Sequence, residues 1–206
     1  MARAWVDTAT RRKQIAQAAL GLIAERGFRG LRAAPLARRA GLVPSGLYRH
    51  FGSLDGVVDA VLDAVRDRLH EHLEAACAAA EDPLGRLHRI LRLHAKLIRE
   101  HHALPRVIFS DEVFGNNTAR RAALRGILHG YVAAIEAVLR NGQETGAVRT
   151  DTDARTLAVM FLGLLQPAAI LAALSDGAFD AVRHAEAAWA VYADALRPRP
   201  RRKGAG

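Results

Sequence analysis

The sequence predicts an all-α protein: an N-terminal three-helix head with a helix-turn-helix pattern, followed by a helical body, about nine helices in all. Three observations carry this. Apolar residues recur every three or four positions along most of the 206 residues, and no convincing alternating run marks a strand. Half of the residues are apolar, with Ala and Leu abundant and Val and Ile few, which favours helix over sheet. Charge is also uneven. Residues 1–50 carry a net +8 and residues 197–206 five further cations, while the 146 residues between them carry −4. A basic head on a mildly acidic body is the electrostatic footprint of a phosphate-binding module.

Taken in order, Ile15, Ala18, Ala19, Leu22 and Ile23 define a helix from Thr10 to Arg26, with Thr10 as its cap and Gly27 just past its end. Two short helices follow, Leu31 to Ala40 and Pro44 to Phe51, separated by the Gly41 turn. A long helix begins at Ser53, a good N-cap, and runs to Ala80, with Asp55 suiting its positive end. Its buried stripe is Val57, Val58, Val61, Leu62, Val65, Leu69 and Leu73. Asp82-Pro83 starts a helix to about His102, apolar through Leu84, Leu87, Ile90, Leu91, Leu93, Leu97 and Ile98 and charged through Arg89, Arg92, Lys96, Arg99 and Glu100. Leu104 to Phe114 is shorter and less regular. Thr118 to Asn141 turns Leu124, Ile127, Leu128, Tyr131, Ile135 and Val138 inward and stops at Asn141-Gly142. Asp151 to Leu174 is apolar almost all round, and Phe179 to Leu196 is Ala-rich. The chain therefore divides into 1–52, a basic helix-turn-helix head; 53–197, a helical body; and 198–206, a disordered basic tail.

Several residue types fall at fixed spacing in the head: Ile15-Ala-x-Ala-Ala, Gly27-Phe28, Leu36-Ala37, Ala40-Gly41-Leu42 and Leu47-Tyr48-x-His50-Phe51. Over about fifty residues this pattern resembles the head of the TetR family of bacterial transcriptional regulators; beyond it only the helical plan is similar. Each position has a physical reason. Gly41 allows the tight turn, while Leu36, Ala37, Leu42 and Leu47 pack the two motif helices together. Pro44, Ser45 and Gly46 open the second helix, where side chains and amides face a groove. Tyr48 and His50 can reach phosphates, Arg49 is the best base or phosphate contact, and Arg32 opens the first motif helix. Arg11, Arg12 and Lys13 form a basic arm. Three positions depart from the family. Leu31-Arg32 and Val43 stand where capping oxygens are usual, and Leu54 stands where a phosphate-binding lysine is usual.

The resemblance implies a homodimer joined through the last two helices, with a ligand pocket in each body. For the interface, Val182, Ala185, Trp189, Ala193 and Leu196 share a face, though packing within one subunit explains the same stripe. For the pocket, His94 lies centrally on an apolar face with Ile98 and His101, and Phe109, Phe114, Met160 and Gln166 could complete it. A core histidine satisfied by a neighbour is the alternative. Gln166 is the polar residue of the most apolar stretch, beside a helix-disrupting Pro167.

Other classes are disfavoured. His94, His101 and His102 have no Cys or carboxylate cluster for a metal. There is no Gly-rich phosphate loop, nucleophile elbow or triad, so neither cofactor nor catalysis is expected. Ser110-Asp111-Glu112 is too little to propose hydrolysis. Leu157 to Leu174 alone is long enough to ask about a membrane, and it is interrupted by Gly163, Gln166 and Pro167. The lone Cys77 excludes an intrachain disulfide, the N-terminus carries no secretory signal, and a cytoplasmic protein is expected. The resulting expectation is a homodimeric regulator, a repressor, that binds a palindromic double-stranded operator and is released by a small-molecule effector. A DNA-binding regulator controlled by a partner protein, and an enzyme on a helical scaffold, stay open.

Overall fold

Helix α1, Thr8–Arg26, is capped by Asp7 rather than Thr10: the Asp7 carboxylate accepts the amides of Ala9 at 2.8 Å and Thr10 at 3.0 Å. Both residues can cap, and two extra turn amides favour the earlier one. The coordinates are a computed structural model, which describes residues 7–79, 82–100, 107–108, 110–115, 117–175 and 178–198, without the side chains of 79, 112 and 114. Phe109, His101, His102, the side chain of Phe114 and the tail from residue 199 lie outside the described residues.

After a 3-10 turn, Phe28–Gly30, come α2, Ala33–Arg39, and α3, Pro44–Phe51. Gly41 between them has φ +66°, a conformation that favours glycine, and lets the Leu42 amide donate back to the Ala37 carbonyl at 2.8 Å. Helices α1, α2 and α3 pack against one another around Ile15, Ala19, Ile23, Leu36, Ala37 and Leu47, all buried. Helix α4, Leu54–Ala79, is capped by Ser53, whose hydroxyl accepts the Gly56 amide. Its whole expected stripe, Val57 to Leu73, is buried.

Helix α5, Pro83–Glu100, starts on Asp82, which accepts the Gly85 amide at 2.7 Å. Its buried face is narrower than the sequence suggests. Leu87, Ile90, Leu91, Ala95, Leu97 and Ile98 are buried, but Leu84 and Leu93 only half so. A short turn, α6, Asp111–Phe114, precedes α7, Thr118–Glu144. Helix α7 runs past the expected stop at Asn141-Gly142 because Gly142 serves packing. The Val148 amide donates to the Gly142 carbonyl at 2.9 Å, and a Cβ on Gly142 would lie 2.5 Å from Val148 Cγ2. In α7, Ile127 and Leu128 are half-buried, whereas Leu124, Tyr131, Ile135 and Val138 are buried as expected.

The expected single helix 151–174 is two: α8, Ala154–Gly163, and α9, Gln166–Leu174. Pro167 does not interrupt a helix. It sits in the first turn of α9, where a missing N–H costs nothing, so the break falls earlier, at Leu164-Leu165. By length and composition both Thr118–Glu144 and Ala154–Leu174 could cross a membrane, not the second alone. The second is split into helices of 10 and 9 residues, each short of the ~20 residues that a span requires. Helix α10, Ala181–Leu196, is capped by Asp180 and tied to α8 by the Tyr192 hydroxyl, which donates to the Leu157 carbonyl at 2.7 Å.

The chain forms two compact units, residues 1–69 with 100–127, and residues 70–99 with 128–206. The change in composition at residue 52 does not coincide with this division, because α4 and α7 each supply a segment to both units.

Candidate nucleic-acid interface

Helix α3 presents one outward face. Leu47 is fully buried, while Pro44, Ser45, Tyr48 and Arg49 are exposed at positions one turn apart. Gly46 and His50 flank this face and are half-buried. The first turn of α3 is open as well. Val43, at the cap position, is 65% exposed and makes no capping hydrogen bond, and Arg32 caps nothing at the start of α2. Replacing Val43 by Ser should therefore stabilise the protein by about 1 kcal/mol, read as a rise in the thermal midpoint. An unchanged midpoint would mean that the first turn of α3 is already satisfied.

Two arginines of the head are engaged within the fold. Arg12, expected in a basic arm, binds the end of α3: its Nη1 donates to the His50 carbonyl at 2.6 Å, and its guanidinium lies 4.4 Å from the centre of the Phe51 ring. A cation at a helix C-terminus and over an aromatic face is stabilised twice. Phe51 is thus half-buried under Arg12. Arg39 pairs with Glu25 at 2.6 Å across the end of α1. Arg11 is half-buried; Lys13, Arg32 and Arg49 stay exposed.

Sequence reasoning missed Arg120, on α7 in the same unit as the head. It is only 6% exposed. Its Nε donates to Asp59 at 2.7 Å, and its Nη2 donates to the Asp55 carboxylate at 2.7 Å and the Asp55 carbonyl at 2.9 Å. Burial opposes its charge, but the hydrogen bonds to Asp59 and Asp55 outweigh that and hold the guanidinium protonated. An arginine sixty residues away in sequence thus grips the start of α4, immediately after the head. No local pattern signals such a pair.

In the second unit, His94 is half-buried and lies with Nδ1 2.8 Å from the Tyr131 hydroxyl. Burial first, and repulsion from His72 second, push its pKa down to about 4, and burial raises that of Tyr131. His94 is therefore a neutral imidazole satisfied by a side chain. The unfolded chain takes up a proton below pH about 6.5 that the folded protein refuses until about 4. Stability should fall across that window, by at most about 3 kcal/mol, as protonation favours the unfolded state. Urea titrations at pH 7 and 4.5 check this, and His94→Gln should flatten the difference. Ile98 is buried one turn along α5, Gln166 is half-buried at the start of α9, and Met160 is 51% exposed on α8, not enclosed.

The stripe selected for an interface on α10 is only partly turned inward. Ala185 and Leu196 are buried inside the protomer, and Trp189 stacks on His88 of α5 with centroids 5.0 Å apart. Val182 and Ala193 are half-buried. The large apolar side chains left open on these helices are Ile170, Leu171 and Leu174 on α9, Val191 on α10, and Val159 and Met160 on α8.

Comparison with known proteins gives these features a frame. Residues 15–61 match the sequence profile of bacterial regulatory proteins of the tetR family, and residues 63–195 that of the YsiA-like protein C-terminal region. A fatty acid metabolism regulator protein of Bacillus subtilis is 22% identical over 169 residues, 82% of this chain and 87% of that protein. Among solved structures, the fatty acid degradation regulator FadR from Bacillus halodurans superposes with a TM-score of 0.79 at 23% identity, covering 92% of this chain and 97% of that one. FadR from Bacillus subtilis, in complex with stearoyl-CoA, superposes at 0.76 and 20% identity, covering 89% and 98%. Such identities establish a common fold, and the two profiles together span the head and the body. The chain belongs to the tetR family of bacterial regulatory proteins and is a DNA-binding transcriptional regulator.

Proposed function

We propose that this regulator is a homodimeric repressor, acting in the cytoplasm, that releases a palindromic operator when a long-chain acyl-CoA binds its body. The outward face of α3, with Pro44, Ser45, Tyr48 and Arg49 open and Leu47 anchored, carries the operator reading. Lys13 and Arg32 supply phosphate contacts, while Arg12 acts by positioning α3. The ligand class is supported by the YsiA-like body and by relatives whose names specify fatty acid metabolism and stearoyl-CoA. Residues 1–52 read DNA and 53–197 bind ligand and partner, with His94 and Ile98 in the ligand region and Gln166 at its edge. No catalytic role is assigned.

The dimer face in this reading is the exposed apolar side of α9 and α10, with Leu174 77% and Val191 74% exposed. Large apolar side chains this exposed favour burial against a second copy. Leu174→Glu with Val191→Glu should convert the dimer to a monomer in sedimentation and lower operator affinity at least tenfold, since paired half-sites need paired heads. A dimer that survives both changes rules out this face.

The direct test is selection of binding sites from random duplex DNA, followed by titration of stearoyl-CoA into the selected complex. Enrichment of a palindrome, and its release by the thioester, are expected. Enrichment without release removes the ligand class; no enrichment removes the operator reading. Because coupling is reciprocal, operator must weaken thioester binding by the factor by which thioester weakens operator binding.

A further inference from the structure

The outer face of α5 forms, with Val182 of α10, a groove of about 610 Å³ lined by Gly85, His88, Arg89, Arg92, Leu93, Lys96 and Arg99. Four permanent cations line it and no carboxylate does. They stand at spacings of three and four, so they share one face over ~15 Å of helix. This lies in a stretch of sequence that is otherwise net acidic, so a generally basic surface does not account for it. Arg92 shares Glu186 with His88, at 2.9 and 2.8 Å, whereas Arg89 and Arg99 have no carboxylate partner among the described residues. Arg89 and Arg99 flank Arg92 and Lys96, so this face carries an excess of positive charge along its whole length, and such a face attracts an anion. At one end the groove is lined by His88, whose ring is fixed by stacking on Trp189, 5.0 Å between centroids and 4° from parallel, and by Glu186 at 2.8 Å.

We infer that this groove is a polyphosphate site that holds the nucleotide end of the ligand, with Arg89 and Arg99 bearing the phosphates and Arg92 and Lys96 reinforcing them. The inference rests on the acyl-CoA reading for the identity of the ligand. It assigns recognition of the ligand's charged end to the outer face of α5 and leaves the inner face, with His94 and Ile98, for the acyl chain. Its volume suits a nucleotide, within the ~300–1,000 Å³ of small-molecule sites. Guanidinium groups bind phosphate in bidentate fashion, which a flexible ammonium does not.

The experiment titrates coenzyme A, stearoyl-CoA and stearate into the wild-type protein and the Arg89→Ala/Arg99→Ala variant. Unchanged operator affinity confirms that the variant is folded. Coenzyme A alone is expected to bind the wild type in a salt-sensitive manner and at least tenfold more weakly to the variant, with stearate binding unaltered. Equal affinity of both proteins for coenzyme A and stearoyl-CoA overturns the groove and leaves the acyl-CoA reading standing. Failure of stearoyl-CoA to bind the wild type sinks that reading instead. The groove then stands if pyrophosphate or ATP binds in an Arg89- and Arg99-dependent manner, and falls if neither does. A variant that loses only bulk affinity for random DNA marks the face as a DNA contact and also overturns the proposal.

Discussion

Replacing Asp55 and Asp59 together by Ala is expected to destabilise the protein by about 3 kcal/mol, because it strands a buried guanidinium without counter-charges. The asymmetry of exposure decides this. Arg120 is 6% exposed, whereas the Asp55 and Asp59 side chains are 79% and 58% exposed. The carboxylates can return to water when their partner is removed; the arginine cannot. Arg120→Met, which keeps the bulk and removes the charge, should therefore lie within about 1.5 kcal/mol of the wild type. The triple variant should recover most of what the double one loses. Part of the double variant's loss comes from removing an acid at a helix start, about 0.3–1 kcal/mol, and the triple variant isolates it. Chemical denaturation of the four proteins at pH 7 decides the matter. A triple variant no more stable than the double one would show that the buried charge is not the cause.

The second large effect is on DNA. Arg49→Ala should weaken the selected operator by about 1–3 kcal/mol, roughly fivefold to 150-fold, and Tyr48→Phe by about 1 kcal/mol. Both side chains are exposed and neither makes a described contact within the fold, so stability should stay unchanged. The salt dependence separates two roles for Arg49. A base contact relaxes sequence preference and leaves the slope alone, while a phosphate contact lowers the slope by about one and weakens all sequences alike. Unaltered operator affinity in Arg49→Ala would move recognition off α3.

The limits of α3 were legible because local rules agree there: Gly41 for the turn, Pro44 for the first helical position and Leu47 for the anchor. The seven-residue stripe of α4 was legible for the same reason. Local rules failed where two readings fit equally well. Asp7 and Thr10 can both cap α1, and only the folded chain selects Asp7. Pro167 fits either a kink or a helix start, and Leu164-Leu165 carry no breaking residue of their own. On α10, Ala185 and Leu196 are chemically like interface residues, and only burial places these two in the core, while Val182, Trp189 and Ala193 of the same stripe are half-buried. Arg120 and the Arg12–His50 contact were beyond reach, since each joins segments far apart in sequence.

The uncapped starts of α2 and α3 have a consequence for how operator binding is measured. Charged side chains help hold this head: Arg12 on the end of α3 and Arg39 on Glu25. Added salt screens exposed pairs of this kind as well as the phosphates of DNA. Raising ionic strength therefore loosens the reader while it weakens the reading. A plot of log affinity against log salt for this protein will be steeper than its phosphate contacts alone require. The number of ions released on binding should be counted only after the melting of the head in the same salts has been subtracted.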